Sequence, residues 1–126
     1  MRLLLDTHIF LRSVADSPRL SAEARRSIAA AEEVCVSAAS IWEVAIKSGL
    51  GKIRGDITEL ANSIEESGFV ELPVTALHAA SVATLPLHHR DPFDRLLVAQ
   101  AMTEPLVLLT EDPTLLQYSS DLVRLV

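Results

Sequence analysis

The sequence predicts a three-layer α/β/α sandwich around a central, mostly parallel sheet of four to five strands. Three observations carry that expectation. Arg2-Leu3-Leu4-Leu5 and Leu106-Val107-Leu108-Leu109-Thr110 are short apolar runs that stop at acids, the pattern of strands buried on both faces. Between such runs lie segments with helical spacing and helix-start residues, and alternating strands and helices imply parallel pairing. The composition is 49% hydrophobic but only 4% aromatic, which fits an aliphatic interior of helices layered on a sheet.

Each element has its own justification. A strand near residues 2–6 runs into a helix over Thr7–Ala15, with Ile9, Phe10 and Val14 as its apolar contacts, and Ser17-Pro18 interrupts it. Ser21 caps a helix to about Ala31, and Val34-Cys35-Val36 is a second strand. Ser37 opens a helix in which Ala38, Ile41, Trp42, Ala45 and Ile46 are expected to form the apolar face, ended by Gly49 and Gly51. Asp56-Ile57-Thr58-Glu59 has the spacing of a capping box and opens a helix that Gly68 closes. Phe69–Leu72 is a strand, Thr75 begins a helix to about Leu85, and Asp91-Pro92 begins another to about Thr103. The run at 106–110 is the fourth strand; Asp112-Pro113 starts a short helix, and 122–126 adds a last strand.

The chain, 126 residues, is expected to form a single domain with a real core. No apolar run approaches the ~20 residues of a membrane span, and no signal peptide is expected, so the reading is a soluble, cytoplasmic protein. Cys35 is alone in an apolar run and is expected to be a buried small hydrophobe. A net charge of −6 argues against passive, backbone-wide nucleic-acid binding, which needs a basic surface. It leaves room for an enzyme whose acids are concentrated at a metal.

Four acids invite that reading: Asp6, Glu43, Asp94 and Asp112. Asp6 ends the first strand, where ligands of open α/β sheets gather, yet it also suits a helix N-cap. Glu43 with Lys47 four residues on reads equally as a solvated ion pair of ~0.2–0.5 kcal/mol. Asp94 lies three and four residues before Leu97 and Val98, on the core side of a helix start, while Asp91 serves as its cap. Asp112, after Thr110 and Glu111, can also be only a cap. Taken together they are harder to explain away. Two carboxylates about 4 Å apart repel by about 4 kcal/mol at an effective dielectric near 20, and a hard divalent cation removes that repulsion.

Leu3-Leu4-Leu5-Asp6-Thr7-His8, Ser37-Ala38-Ala39-Ser40-Ile41-Trp42-Glu43-Val44-Ala45-Ile46-Lys47, His89-Arg90-Asp91-Pro92-Phe93-Asp94-Arg95-Leu96-Leu97 and Leu108-Leu109-Thr110-Glu111-Asp112 together resemble PIN-domain ribonucleases. The group they resemble most is the VapC-type toxins of bacterial toxin–antitoxin pairs. The motifs occur in family order and span nearly the whole chain. Arg12 stands where that group often has an aromatic residue, and Glu111 sits beside the fourth acid. The resemblance implies a PIN-like fold over residues 1–126 and a Mg²⁺- or Mn²⁺-dependent endoribonuclease. It implies Asp6, Glu43, Asp94 and Asp112 as catalytic, metal-binding acids, with Thr7 and Thr110 hydrogen-bonding near them. It also implies an RNA substrate, a homodimer and a cognate antitoxin that inserts a segment into the groove.

Under that expectation Asp6 and Asp94 bind metal directly, Glu43 and Asp112 act through water or a second ion, and an activated water attacks the phosphorus in line. Lys47, Arg90 and Arg95 are candidates to guide the RNA backbone, with plain surface solvation the alternative for each. His8, His88 and His89 read as incidental. Three competing functions stay open. A non-toxin, housekeeping PIN nuclease shares the same site. A haloacid-dehalogenase-type phosphatase would use Asp6 as nucleophile, but His8 stands where that class has its second Asp. A non-catalytic binding module has no need for mutually repelling acids.

Overall fold

A computed structural model of the chain describes residues 1–51 and 55–126. The strands are β1 (Arg2–Leu5), β2 (Glu33–Ser37), β3 (Val70–Leu72), β4 (Val107–Thr110) and β5 (Val123–Leu125). The helices are α1 (Thr7–Val14), α2 (Ala22–Ala30), α3 (Ala38–Gly49), α4 (Ile57–Glu66), α5 (Ala76–Ser81) and α6 (Pro92–Thr103). Two 3₁₀ turns, Val82–Thr84 and Pro113–Gln117, complete the order. All five strands are parallel, in the order β3-β2-β1-β4-β5. This is the expected α/β/α sandwich.

Strand alternation divides the core into its two layers. Leu3, Leu5, Val34, Val36 and Leu109 point to one face, where Ile9 and Phe10 of α1, Ala24 of α2 and Ile64 of α4 cover them. Leu4, Cys35, Leu108 and Val123 point to the other, against Leu97, Val98 and Ala101 of α6. Leu3, Leu4 and Leu5 have no exposed surface, so β1 is the axis of the sheet. Cys35 is buried, as expected.

Caps fix where helices begin. Asp6, Ser21, Ser37, Asp56, Thr75 and Asp91 each accept a backbone N–H with the side chain at a helix start. Gly68, with φ +78°, ends α4 in the left-handed region that suits glycine. The helix expected from Thr75 to Leu85 is shorter, because α5 stops at Ser81 and tightens into the 3₁₀ turn.

One expectation fails. The inward face of α3 is Ala39, Ser40, Glu43 and Val44, while Trp42 and Ile46 are exposed. Trp42 is 58% exposed and rests edge-on against Phe93, with ring centroids 5.1 Å apart. The stripe of large apolar residues was therefore the wrong guide. Helix α3 packs beside α1, α4 and α6 and turns small and polar groups inward.

The strand order explains where a site can form. From β1 the chain moves outward through β2 to β3, then returns to β4 on the opposite side of β1. A crevice opens at such a reversal, beyond the carboxyl ends of the two strands. Here those ends carry Asp6 and Thr110-Glu111-Asp112.

Candidate functional site

Asp6 is 6% exposed and both its oxygens are engaged. Oδ1 accepts the Ile9 N–H at 2.8 Å as the cap of α1, and Oδ2 accepts the Thr110 hydroxyl at 2.6 Å. Burial raises its pKa, and the hydrogen bonds from Thr110 and Ile9 oppose that shift. Asp6 is thus a helix cap that also lies at the carboxyl end of β1. Asp112 is likewise a cap, beyond the carboxyl end of β4, and its Oδ1 accepts the Thr114 N–H at 3.0 Å and the Thr114 hydroxyl at 2.7 Å. Its Oδ2 lies 3.5 Å from His89 Nε2. Burial pushes the Asp112 carboxyl up, but Thr114 and the nearby His89 outweigh it and leave the pKa below the usual value.

Asp94 begins the core side of α6, and Asp91 is the cap, accepting the Phe93 and Asp94 N–H groups. Asp94 Oδ2 lies 2.8 Å from His89 Nε2. Burial, opposed by His89 and reinforced by the Asp91 and Asp6 charges, raises the Asp94 pKa to about 6. His89 therefore stands between Asp94 and Asp112 and is not incidental. Its pairing needs the chain to fold back ahead of Pro92, and Arg95 holds that fold-back: its guanidinium donates to the carbonyls of Pro86, Val82 and His89 and to the Tyr118 hydroxyl. Arg95 is a clamp on the 82–89 segment, so its guanidinium is engaged within the fold. Arg90 is exposed.

Glu43, 3% exposed, is not a solvated acid. Its Oε1 accepts the Thr7 hydroxyl at 2.7 Å and its Oε2 pairs with Lys47. Thr7 Oγ1 in turn accepts from the Ser40 hydroxyl, 3.0 Å away. Lys47 has its pKa raised by Glu43 first, and the charges of Asp91 and Asp94 add to the effect. It pairs with Glu43 and is near enough to the α6 acids to feel their charge.

A cleft of about 240 Å³, lined by Asp6, His8, Arg12, Glu111 and Asp112, joins the ends of β1 and β4. A larger hollow of about 730 Å³ lies by Ile64, Phe69 and Glu71, away from these acids. We take the smaller cleft as the site, because Asp6 and Asp112 line it; Asp94 and Glu43 do not line it, and Asp94 is joined to it through His89, which lies against both Asp94 and Asp112.

The sequence matches the PIN domain family over residues 3–120. The chain belongs to the PIN domain family. No curated protein matches it. Among solved structures, this PIN domain is similar to VapBC2 from Rickettsia felis, bound to a DNA fragment from their promoter, with a TM-score of 0.70 and 14% identity over 100% of this chain and 99% of that chain. It is also similar to FitAcB from Neisseria gonorrhoeae, with a TM-score of 0.66 and 20% identity over 98% and 96% of the two chains. For VapBC-5 from Mycobacterium tuberculosis, a member of the VapBC family of toxin–antitoxin systems, the TM-score is 0.58 and the identity 20%, over 99% and 97%. At these identities the likeness is one of fold.

Donors at this end of the PIN domain fit a divalent cation. Among the described residues, ligand atoms of His89, Asp94 and Asp112 lie within 4.8 Å of one another. Two carboxylates and one imidazole form a donor set for a divalent cation: the carboxylate oxygens suit hard ions, and the imidazole suits transition metals. Asp6 shares the cleft with Asp112 and adds its charge to Asp94, whereas Glu43 is held behind them by Thr7 and Lys47.

Proposed function

We propose that this PIN domain is a divalent-metal-dependent endoribonuclease, and the toxin of a type II toxin–antitoxin pair. The observation that carries the nuclease reading is the gathering of Asp6, Asp94 and Asp112 at the β1/β4 reversal. Asp94 and Asp112 would hold a Mg²⁺ or Mn²⁺ ion, with Asp6 completing the oxygen set and Glu43 acting through its neighbours. When bound, such an ion neutralises phosphate charge and activates water near neutral pH.

The chain's own residues prepare the site. Thr110 and the Ile9 N–H orient Asp6 before any ligand arrives. His89 Nε2 keeps Asp94 and Asp112 aligned. Lys47 sits where it can balance Glu43 and the α6 acids together.

The phosphatase reading, with Asp6 as nucleophile, needs a second Asp where His8 stands and leaves Asp94 unused, which disfavours it. The toxin assignment rests on the sequence motifs and on fold likeness to proteins described as toxin–antitoxin complexes. We propose RNA as substrate, a small antitoxin and a second copy of this chain as partners, one domain over residues 1–126, and action in the cytoplasm. No helix among the described residues is long and apolar enough to cross a membrane.

The test is RNA cleavage by the purified chain with Mg²⁺, Mn²⁺ or chelator. Cleavage should require the ion and disappear in Asp6→Asn and Asp94→Asn. Undiminished cutting by either variant, or in chelator, overturns the reading. Induced expression in a bacterial host should arrest growth unless the protein encoded beside it is co-expressed. Unimpaired growth would remove the toxin part and leave the nuclease part standing.

A further inference from the structure

Arg12 is the guanidinium inside the cleft. It stands one turn on from His8 along α1, and its Nη1 pairs with the Glu111 carboxylate. A surface ion pair of this kind ordinarily adds little stability, and a basic residue in the last turn of a helix complements its dipole. Two observations go beyond that. The pair is mostly shielded, with side chains 21% and 32% exposed, and it walls the same cleft as Asp6 and Asp112. Other cations near the acids are engaged elsewhere: Lys47 by Glu43, and Arg95 by the carbonyls before α6.

A phosphodiester entering this cleft meets the carboxylates of Asp6, Glu111 and Asp112. Even with a cation on some of them, the remaining charge opposes an anion. A guanidinium fork matches phosphate oxygens two at a time and offsets that opposition. Glu111 stands outside the group of ligand atoms formed by His89, Asp94 and Asp112, so its evident bond is the one to Arg12.

We propose that Arg12 is a phosphate-positioning residue, which exchanges Glu111 for a phosphodiester of the RNA backbone. Glu111 holds the guanidinium at the cleft and competes with RNA for it. The inference rests on the nuclease reading and adds to it a named contact to the substrate backbone. Because the contact is to phosphate, it is indifferent to base sequence.

The experiment measures fluorescence anisotropy of a labelled, random-sequence, single-stranded oligoribonucleotide, with Ca²⁺ in place of Mg²⁺, over a series of KCl concentrations. Arg12→Ala should raise Kd at least about tenfold, as expected for loss of a charge-assisted contact. It should also flatten the logarithmic salt slope by about 0.7, one phosphate contact on a single strand. Glu111→Gln should do the opposite to affinity and lower Kd, because the competitor is neutralised. In Mg²⁺, the Arg12→Ala loss should fall on KM more than on kcat, and Arg12→Lys should restore part of it.

An unchanged Kd and slope in folded Arg12→Ala overturns the proposal. So does weaker or unchanged binding in Glu111→Gln, which does not depend on Arg12→Ala folding. In either case wild-type cleavage of RNA leaves the nuclease reading intact; wild-type protein that neither binds nor cuts RNA ends both.

Discussion

The Thr110 hydroxyl donates to Asp6 Oδ2 at 2.6 Å and receives the Asp112 N–H at 3.0 Å. One buried hydroxyl therefore fixes an acid at the end of β1 and the start of the turn that carries another. Replacing it with a group of the same shape isolates the effect. Thr110→Val should destabilise the fold by about 1–3 kcal/mol, since the Asp112 N–H and Asp6 each lose a partner. It should also raise the Asp6 pKa further and move the acid limb of the pH–rate profile to higher pH. Thr110→Ser should restore both. Thermal unfolding and the pH profile of RNA cleavage are the two measurements.

The Asp94 carboxyl gives a pH dependence with a definite sign. Its folded pKa of about 6 lies above its ordinary value of 3.8, so between those values the folded chain binds more protons than the unfolded one. Stability contributed by this group is present below about pH 4 and is lost as pH rises through about 6. Without divalent ions, Asp94→Asn should therefore be more stable than wild type at pH 7, with the advantage vanishing by pH 4. Adding Mg²⁺ should stabilise wild type and leave the variant nearly unmoved. Denaturant unfolding at a series of pH values reads all three. Equal pH curves for the two proteins would refute the placement of Asp94.

Glu43 and Lys47 should separate stability from activity. Lys47→Ala leaves buried Glu43 with Thr7 as donor and should cost about 1–3 kcal/mol. The double change Glu43→Leu with Lys47→Met removes both charges, and replacement of a buried pair by apolar groups is often neutral or stabilising. The double variant should unfold no earlier than wild type yet fail to cut RNA. Retained cleavage would remove Glu43 from the catalytic set.

Cys35 offers a simple probe of the core. Burial first, and Glu33 second, push its thiol up to about 11. A thiol of that kind carries almost no thiolate at pH 8. Native protein should resist alkylation there, and labelling should appear only with global unfolding. Rapid native labelling would contradict the packing of β2 against α6.

Much of this could be read from the residues, and the failures are specific. Three leucines ending in Asp6, and Val107–Thr110 ending in Glu111-Asp112, mark buried strands because period-two alternation disappears when both faces are covered. Glu43 misled for a physical reason: periodicity identifies a helix but does not say which face turns inward when the inward groups are Ala39, Ser40 and Val44. His89 was missed because its partner Asp94 lies five residues on, across a reversal that local propensity does not encode. The clamping role of Arg95 was hidden for the same reason. Its carbonyl partners come together only once the 82–89 segment folds back.

The strand order also sets a schedule. Because β1 pairs with both β2 and β4, its nearer partner in sequence can be met well before the distant one that closes its polar end. Asp6 gains Thr110 only then. A polypeptide stopping short of Val107 carries three of the proposed acids but lacks the strand and the hydroxyl that group them, so the proposed site assembles only with that long-range closure.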